Sequence, residues 1–179
     1  LAVLAGAQLL KRQPFLPQDL DAVVLGCVMP GPEEVHIARL VALRLGCGDF
    51  VPAHTVMRNC ASGLQSLDTA ALEISAGRAH LVLAGGAEAM SHAPLLLNQS
   101  MVRWLSRWQG AKQFTGRLAL LAQLRPSFLV PVVALLKGLT DPLIGLNMGQ
   151  TAEELAFKFG ITREEMDEFA SLSHQRAAA

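Results

Sequence analysis

Along the first half of this chain, short apolar runs alternate with segments of helical period, and the runs lack the in-out alternation of a strand with one wet face. Residues 21–28 (Asp-Ala-Val-Val-Leu-Gly-Cys-Val) are the clearest case, followed by residues 51–57 and by residues 80–84, which lead into Gly85-Gly86, read here as a tight turn. Between them lie helical stretches. Leu1, Leu4, Ala5 and Leu9 recur near a 3.6 period up to Lys11-Arg12. Residues 33–45 open on two glutamates and end before Gly46. Residues 61–77 carry Leu64, Leu67, Ala71, Leu72 and Ile74. Strands without a wet face, separated by helices, predict an α/β fold with a largely parallel sheet covered on both sides.

Charge divides the chain differently. Lys plus Arg (15) balance Asp plus Glu (15), so the whole molecule carries no nucleic-acid signature. Yet residues 89–140 contain no Asp or Glu, while Arg103, Arg107, Lys112, Arg117, Arg125 and Lys137 make this segment basic and leave the rest acidic. Such a block reads as an inserted subregion. Within it Met101, Trp104, Leu105 and Trp108 share one helical face, flanked by Arg103 and Arg107, an amphipathic arrangement suited to a surface or to burial of the two tryptophans. Helical character returns at 151–159, stopping at Gly160, and Thr162 to Glu165 form a capping box for a last helix.

The mean hydropathy of +0.35 calls for a search for membrane spans. The best stretch, residues 118–136, is broken by Arg125, Pro126 and Pro131, so no span is expected. The helical pattern already runs at Leu1 and still runs through Arg176 into three alanines, which reads as a piece of a longer protein.

Chemistry concentrates in Asn59-Cys60-Ala61-Ser62-Gly63, between the second strand and the 61–77 helix. A cysteine at a helix N-terminus faces unpaired N–H groups and the positive end of the dipole, which favours a nucleophilic thiolate. Small neighbours at Ala61 and Gly63 keep the sulfur approachable. A buried, inert thiol is the competing reading for any lone cysteine, and it is the preferred one for Cys27 and Cys47. The three cysteines form no CxxC pair and leave one odd under any pairing, which fits a reducing compartment and not secretion. The five histidines show no metal-ligand spacing, so no metal is expected. Gly85-Gly86 lacks the GxGxxG and P-loop patterns.

Residues 59–77 (NCASGLQSLDTAALEISAG), then LVLAGGAEAMSHAP, then GLTDPLIGLNMGQTAEELAFKFGITREEMDEFASLSHQRA resemble the thiolase family in order, nearest to the thiolase subunit of fatty-acid β-oxidation complexes. The resemblance spans almost the whole chain and implies the N-terminal half of a layered αβαβα thiolase fold. Residues 1–97 would be core, 98–147 a loop domain and 148–179 a return to the core. It further implies acyl transfer to coenzyme A through an acyl-cysteine, in 3-ketoacyl-CoA thiolysis or the reverse Claisen condensation. Cys60 falls on the family's acylated nucleophile and Met148 on a methionine lining the acyl and pantetheine pocket. Asn147 stands where many biosynthetic members have histidine. The family's Gly-His-Pro histidine, second cysteine and Asn-Glu-Ala-Phe asparagine are absent from these 179 residues, so this stretch alone is expected to be inert.

The resemblance implies no cofactor, coenzyme A being a substrate, and a homo-oligomer in a bacterial cytoplasm or mitochondrial matrix. Residues 101–137 could meet CoA phosphates, a hydratase/dehydrogenase partner or a membrane surface. Two rivals share the fold: a β-ketoacyl synthase-like condensing enzyme acting on a carrier protein, and a non-enzymatic lipid or CoA binder with a damaged site.

Overall fold

The computed structural model describes all 179 residues, and the chain divides into two compact units, Leu1–Pro94 and Leu95–Ala179. The first is built on a three-stranded parallel sheet in the order β2-β1-β3, with β1 at Ala22–Gly26, β2 at Ala53–Val56 and β3 at Val82–Gly86. Val23 pairs with Ala53 on one side and Leu83 on the other. Helices α1 (Ala2–Leu10) and α2 (Ile37–Arg44) cover one face, and α3 (Ser62–Ser75) covers the other.

The central strand has no wet face. Val23 and Leu25 belong to the core under α1 and α2, together with Leu10, Val41, Cys47 and Val51. The intervening Val24 and Gly26 point the opposite way, Gly26 directly at the start of α3. Both valines are fully buried. This layered α/β arrangement is the fold class expected from the sequence.

Several element boundaries and faces differ from expectation, each for a local reason. Helix α2 begins at Ile37, not Glu33, because Glu34 N–H closes a turn on Gly31 O (2.9 Å) and the helix is capped from outside by Thr55 of β2, whose hydroxyl accepts from Ala38 N–H (3.2 Å). Strand β3 begins at Val82 because the Asp21 carboxylate takes the N–H groups of His80 (2.6 Å) and Leu81 (2.9 Å). Those two bonds hold the Asp21 carboxyl below its ordinary pKa. Gly85-Gly86 is no turn: the ladder to Leu25 and Gly26 continues through both glycines.

Helix faces shift as well. Leu1, just before α1, and Leu4 and Leu9 within it are outside, whereas Gly6 and Leu10 turn inward, Gly6 admitting the side chain of Leu45. In α3 the side against the sheet is Ser62, Ser66 and Ala70, spaced by four, whereas Leu64, Leu67, Leu72 and Ile74 are exposed. Small side chains let the α3 backbone come close to the strands, and the leucine side is left without a partner in this chain.

In the second unit β4 (Leu95–Leu96) pairs antiparallel with β5 (Val132–Val133). Asn98 caps α4 (Gln99–Gly110) by accepting from Met101 N–H (3.0 Å), and its amide nitrogen lies 2.9–3.0 Å from the carbonyls of Ser127, Phe128 and Val130. One residue thus starts a helix and pins a distant turn. Helix α5 (Phe114–Leu121) packs on the Met101/Trp104/Trp108 side of α4: Trp104 Nε1 donates to Leu120 O (2.8 Å), the indoles stack 5.3 Å apart, and the Arg117 guanidinium lies 5.8 Å from the Trp108 ring centroid. That tryptophan side is therefore packed within the unit. Three more helices follow: α6 (Ala134–Gly138), α7 (Met148–Phe159) and α8 (Arg163–Ala178). Gly160 ends α7 in the left-handed region, and the Thr162/Glu165 capping box opens α8. No helix is long and apolar enough to cross a membrane.

Candidate active site

The site is built where the C-terminal ends of β1 and β3 meet the first turn of α3, the place at which parallel α/β sheets bind their ligands. Two glycines set the distance. A Cβ on Gly26 would sit 2.3 Å from the Ser62 carbonyl oxygen, and one on Gly86 would sit 3.2 Å from both Gly26 O and the Gly63 Cα. Only residues without side chains let strand ends and helix start approach this far.

Serines then fasten the junction. The Ser66 hydroxyl, fully buried, lies 2.7 Å from Gly63 O in its own helix and 2.7 Å from Gly85 O in β3. Removing it leaves a strand-end carbonyl buried with one partner fewer. The expected result for Ser66→Ala is a loss of about 1–3 kcal/mol, read as a lower denaturant midpoint. The Ser62 hydroxyl accepts from Arg58 N–H (2.8 Å) and donates to Asn59 O (2.7 Å). It thereby locks the turn that carries Cys60.

That turn is tight. Ala61 N–H bonds back to Arg58 O (3.0 Å), and Asn59 adopts φ 47°, in the left-handed region that asparagine tolerates better than most residues. Cys60 follows it and stands exposed at the corner, one residue before Ala61, the N-cap position of α3, whose side chain caps nothing. No side chain caps the helix: the Ser62 N–H is taken by Asn59 O (3.1 Å), and the next N–H groups of the first turn, on Gly63 and Leu64, are the ones left for a ligand oxygen. An exposed thiol next to such donors has the layout of a nucleophile paired with an oxyanion site.

The other thiols are placed differently. Cys27, just past β1, is buried and lies 3.7 Å from the Glu88 carboxylate, which also accepts from the N–H groups of Val28 (2.7 Å) and Met29 (3.2 Å). Burial first, and the Glu88 charge second, push the Cys27 thiol up from its ordinary value; burial does the same for Cys47. At neutral pH both are held as thiols. Iodoacetamide is therefore expected to alkylate Cys60 at least about tenfold faster than Cys27 or Cys47, checked by peptide mapping of the folded protein.

Met148 belongs to the second unit, as the half-exposed first residue of α7. Asn147 is its helix cap, accepting from Gln150 N–H (2.9 Å) while its own N–H donates to the Gln150 side chain (2.9 Å). Sequence reasoning did not single out Gly26, Ser66 or Glu88, and it read Gly86 as part of a turn. The trace it could have used is a Ser-x₃-Ser-x₃-Ala spacing in a helix beside strands that end in glycine. A cavity of about 340 Å³ opens on the α1/α2 side, bordered by Cys27, Met29, Arg44 and Glu88, and Cys60 is not on its wall. No three His, Cys, Asp or Glu side chains come together as a metal site.

The family model for the thiolase N-terminal domain matches residues 1–179, the entire chain. The chain belongs to the thiolase family. Among its relatives, the 3-ketoacyl-CoA thiolase of Pectobacterium carotovorum subsp. carotovorum (strain PC1) is 36% identical over 178 residues, 99% of this chain and 40% of the relative. Among solved structures, Bacillus anthracis acetyl-CoA acetyltransferase superposes with a TM-score of 0.75 at 35% identity, covering 97% of this chain and 39% of that one. Human mitochondrial 3-ketoacyl-CoA thiolase in complex with CoA superposes with a TM-score of 0.73 at 32% identity, covering 98% and 39%. This thiolase-family chain thus spans about 40% of the length of the curated relatives it matches.

Proposed function

We propose that this chain is the nucleophile-bearing part of an acyltransferase that exchanges acyl groups with coenzyme A through Cys60. The observation that carries the reading is the exposed Cys60 on a locked turn beside an uncapped helix start. In the thiolytic direction the Cys60 sulfur bonds to the ketone carbon of a 3-ketoacyl-CoA. The bond between that carbon and its α-carbon then breaks, its electron pair stays on the α-carbon, and protonation there releases acetyl-CoA. The thiolate of a second CoA attacks the Cys60 thioester and carries off the shortened acyl group, and the broken acyl–sulfur bond leaves its electron pair on Cys60 as the regenerated thiolate. Condensation of acetyl-CoA is the same sequence reversed.

Glycines and serines keep this centre in place, and the first-turn N–H groups of α3 are suited to the charge that develops on the attacked carbonyl oxygen. The acid/base groups are expected from the remainder of the protein, as is the cover for the leucine side of α3, where Leu64 is 69% and Leu72 58% exposed. In this reading residues 98–147 form the loop domain, residues 148–179 return to the core, and Met148 lines the acyl and pantetheine channel. No resident cofactor is required. The protein works as a homo-oligomer in a reducing compartment, the bacterial cytoplasm or the mitochondrial matrix.

Support for thiolysis over a carrier-protein synthase comes from the relatives, which are named as thiolases. The test is a CoA-dependent thiolysis assay on the full-length protein with 3-ketoacyl-CoA substrates. Acetyl-CoA release that depends on free CoA is the expected result. Turnover only with carrier-protein thioesters, or none at all, would overturn the reading.

A further inference from the structure

Two cations of α4 border a cavity. Ser100, Arg103, Trp104 and Arg107 are spaced by three, one and three, so at about 100° per residue they share one side of the helix. With Gln123, which follows α5, and Phe128, in the 3₁₀ turn Pro126–Leu129, they line a cavity of about 240 Å³ inside the second unit. Its walls are held in place. Trp104 Nε1 donates to Leu120 O (2.8 Å), and the Asn98 amide holds the carbonyls of Ser127, Phe128 and Val130. Neither arginine is neutralised. Residues 89–140 contain no Asp or Glu, and the ion pairs of the chain, Arg39–Asp49, Arg78–Glu73 and Arg163–Asp167, lie elsewhere. Arg103 donates its Nε to Gln99 O (3.2 Å), which leaves its terminal N–H groups open. Like charges four residues apart disfavour a helix, and an anion between them removes that repulsion.

We propose that this cavity binds a free mononucleotide, with its phosphate monoester between Arg103 and Arg107 and its base against Trp104 and Phe128. The inference rests on these residues and is independent of the role given to Cys60. Guanidinium N–H groups pair with phosphate oxygens two at a time, and two such forks around one point suit a dianion better than a singly charged group. The Ser100 hydroxyl can donate to a further oxygen. The rest of the lining is aromatic, and a planar base covers Trp and Phe rings where a sugar phosphate would leave them wet. Gln123, held by an Nε2 bond to Ala119 O (3.3 Å), brings an amide to the edge of that base. At about 240 Å³ the cavity is below the roughly 300–1,000 Å³ of pockets that enclose a drug-sized ligand. One base and one phosphate fill it, and a dinucleotide does not fit.

The experiment is isothermal titration calorimetry of the full-length protein with AMP, GMP, CMP and UMP, and with inorganic phosphate and the nucleoside of the tightest binder. At least one nucleotide is expected to bind at a single site per chain, about tenfold or more tighter than its nucleoside or inorganic phosphate. Arg103→Ser/Arg107→Ser should weaken it by about tenfold or more. Phe128→Leu, which keeps the side chain apolar but removes the ring, should weaken it by about threefold and leave inorganic phosphate unchanged. Arg125→Ser/Lys137→Ser removes the same charge from the same segment outside the cavity and should alter binding less than about twofold. All four cations are exposed, and thermal unfolding checks that each variant folds. If the double serine variant fails that check, Arg103→Lys/Arg107→Lys decides, because it keeps the charges and loses the forks, and it should still weaken the nucleotide. Absence of binding by all four nucleotides would overturn the proposal, as would a nucleotide no tighter than inorganic phosphate or equal losses from the Arg125/Lys137 control. So would displacement of the nucleotide by CoA together with a raised KM for CoA in the Arg103/Arg107 variant, which would make the cavity part of the coenzyme A channel.

Discussion

Gly26→Ala should unfold the first unit or leave it barely stable. The added methyl would lie 2.3 Å from the Ser62 carbonyl oxygen, 2.4 Å from its carbon and 2.7 Å from the Gly63 nitrogen, all backbone atoms. No rotamer change can relieve such a contact. Either α3 lifts off the sheet, breaking the Ser66 link to Gly85, or β1 shifts in its ladder with β2 and β3. Overpacking ordinarily costs about 1–3 kcal/mol; with backbone on both sides the expected cost is at the top of that range or above. Against a total stability of about 5–15 kcal/mol this is severe. Soluble yield and thermal unfolding of the full-length protein are the readouts, together with alkylation of Cys27, which should become fast once β1 is dislodged. Gly63→Ala is the control, because a Cβ there meets nothing within 4 Å, and it should leave stability unchanged or slightly higher. A Gly26→Ala protein as stable as its parent would show that α3 does not sit against β1 in this way.

Cys60→Ser should abolish acyl transfer while leaving the fold intact. The thiol is exposed at a corner and packs against no core, so replacing sulfur by oxygen disturbs little structure. A serine hydroxyl there has no thiolate-like nucleophilicity, and the acyl intermediate cannot form at a useful rate. Loss of a nucleophile costs at least about 10³-fold in kcat. Thiolysis activity of the full-length variant, with thermal unfolding alongside, reads both halves of the expectation. Cys27→Ser, by contrast, should act mainly on stability, because Cys27 is a buried thiol beside Glu88.

The sequence exposes most of what hydropathy can encode. Residues 21–28 read as a doubly covered strand because Val23 and Val24 are both core, on opposite faces. The Thr162/Glu165 box marks the start of α8 because capping is local chemistry. The inner face of α3 was hidden for an equally physical reason. Leucines at 64, 67 and 72 supply the apolar signal, yet contact with the sheet is made by Ser62, Ser66 and Ala70, whose value lies in small size and a hydroxyl's reach rather than in hydropathy. Long-range polar contacts were equally invisible: Asp21 delaying β3, Thr55 capping α2, and Asn98 pinning residues 127–130. Cys60 could be picked out from its place between strand and helix. Its left-handed Asn59 neighbour and its Ser62 lock needed the folded chain.

The central claim is that Cys60 carries the acyl group, and the most direct measurement is mass spectrometry of the full-length protein quenched in acid after mixing with 3-ketoacyl-CoA in the absence of free CoA. The expected result is a thioester-linked acyl group on the peptide containing Cys60, removed when CoA is added. An acyl group found on Cys27, on Cys47 or on another residue, or turnover without any acyl-protein, would contradict it.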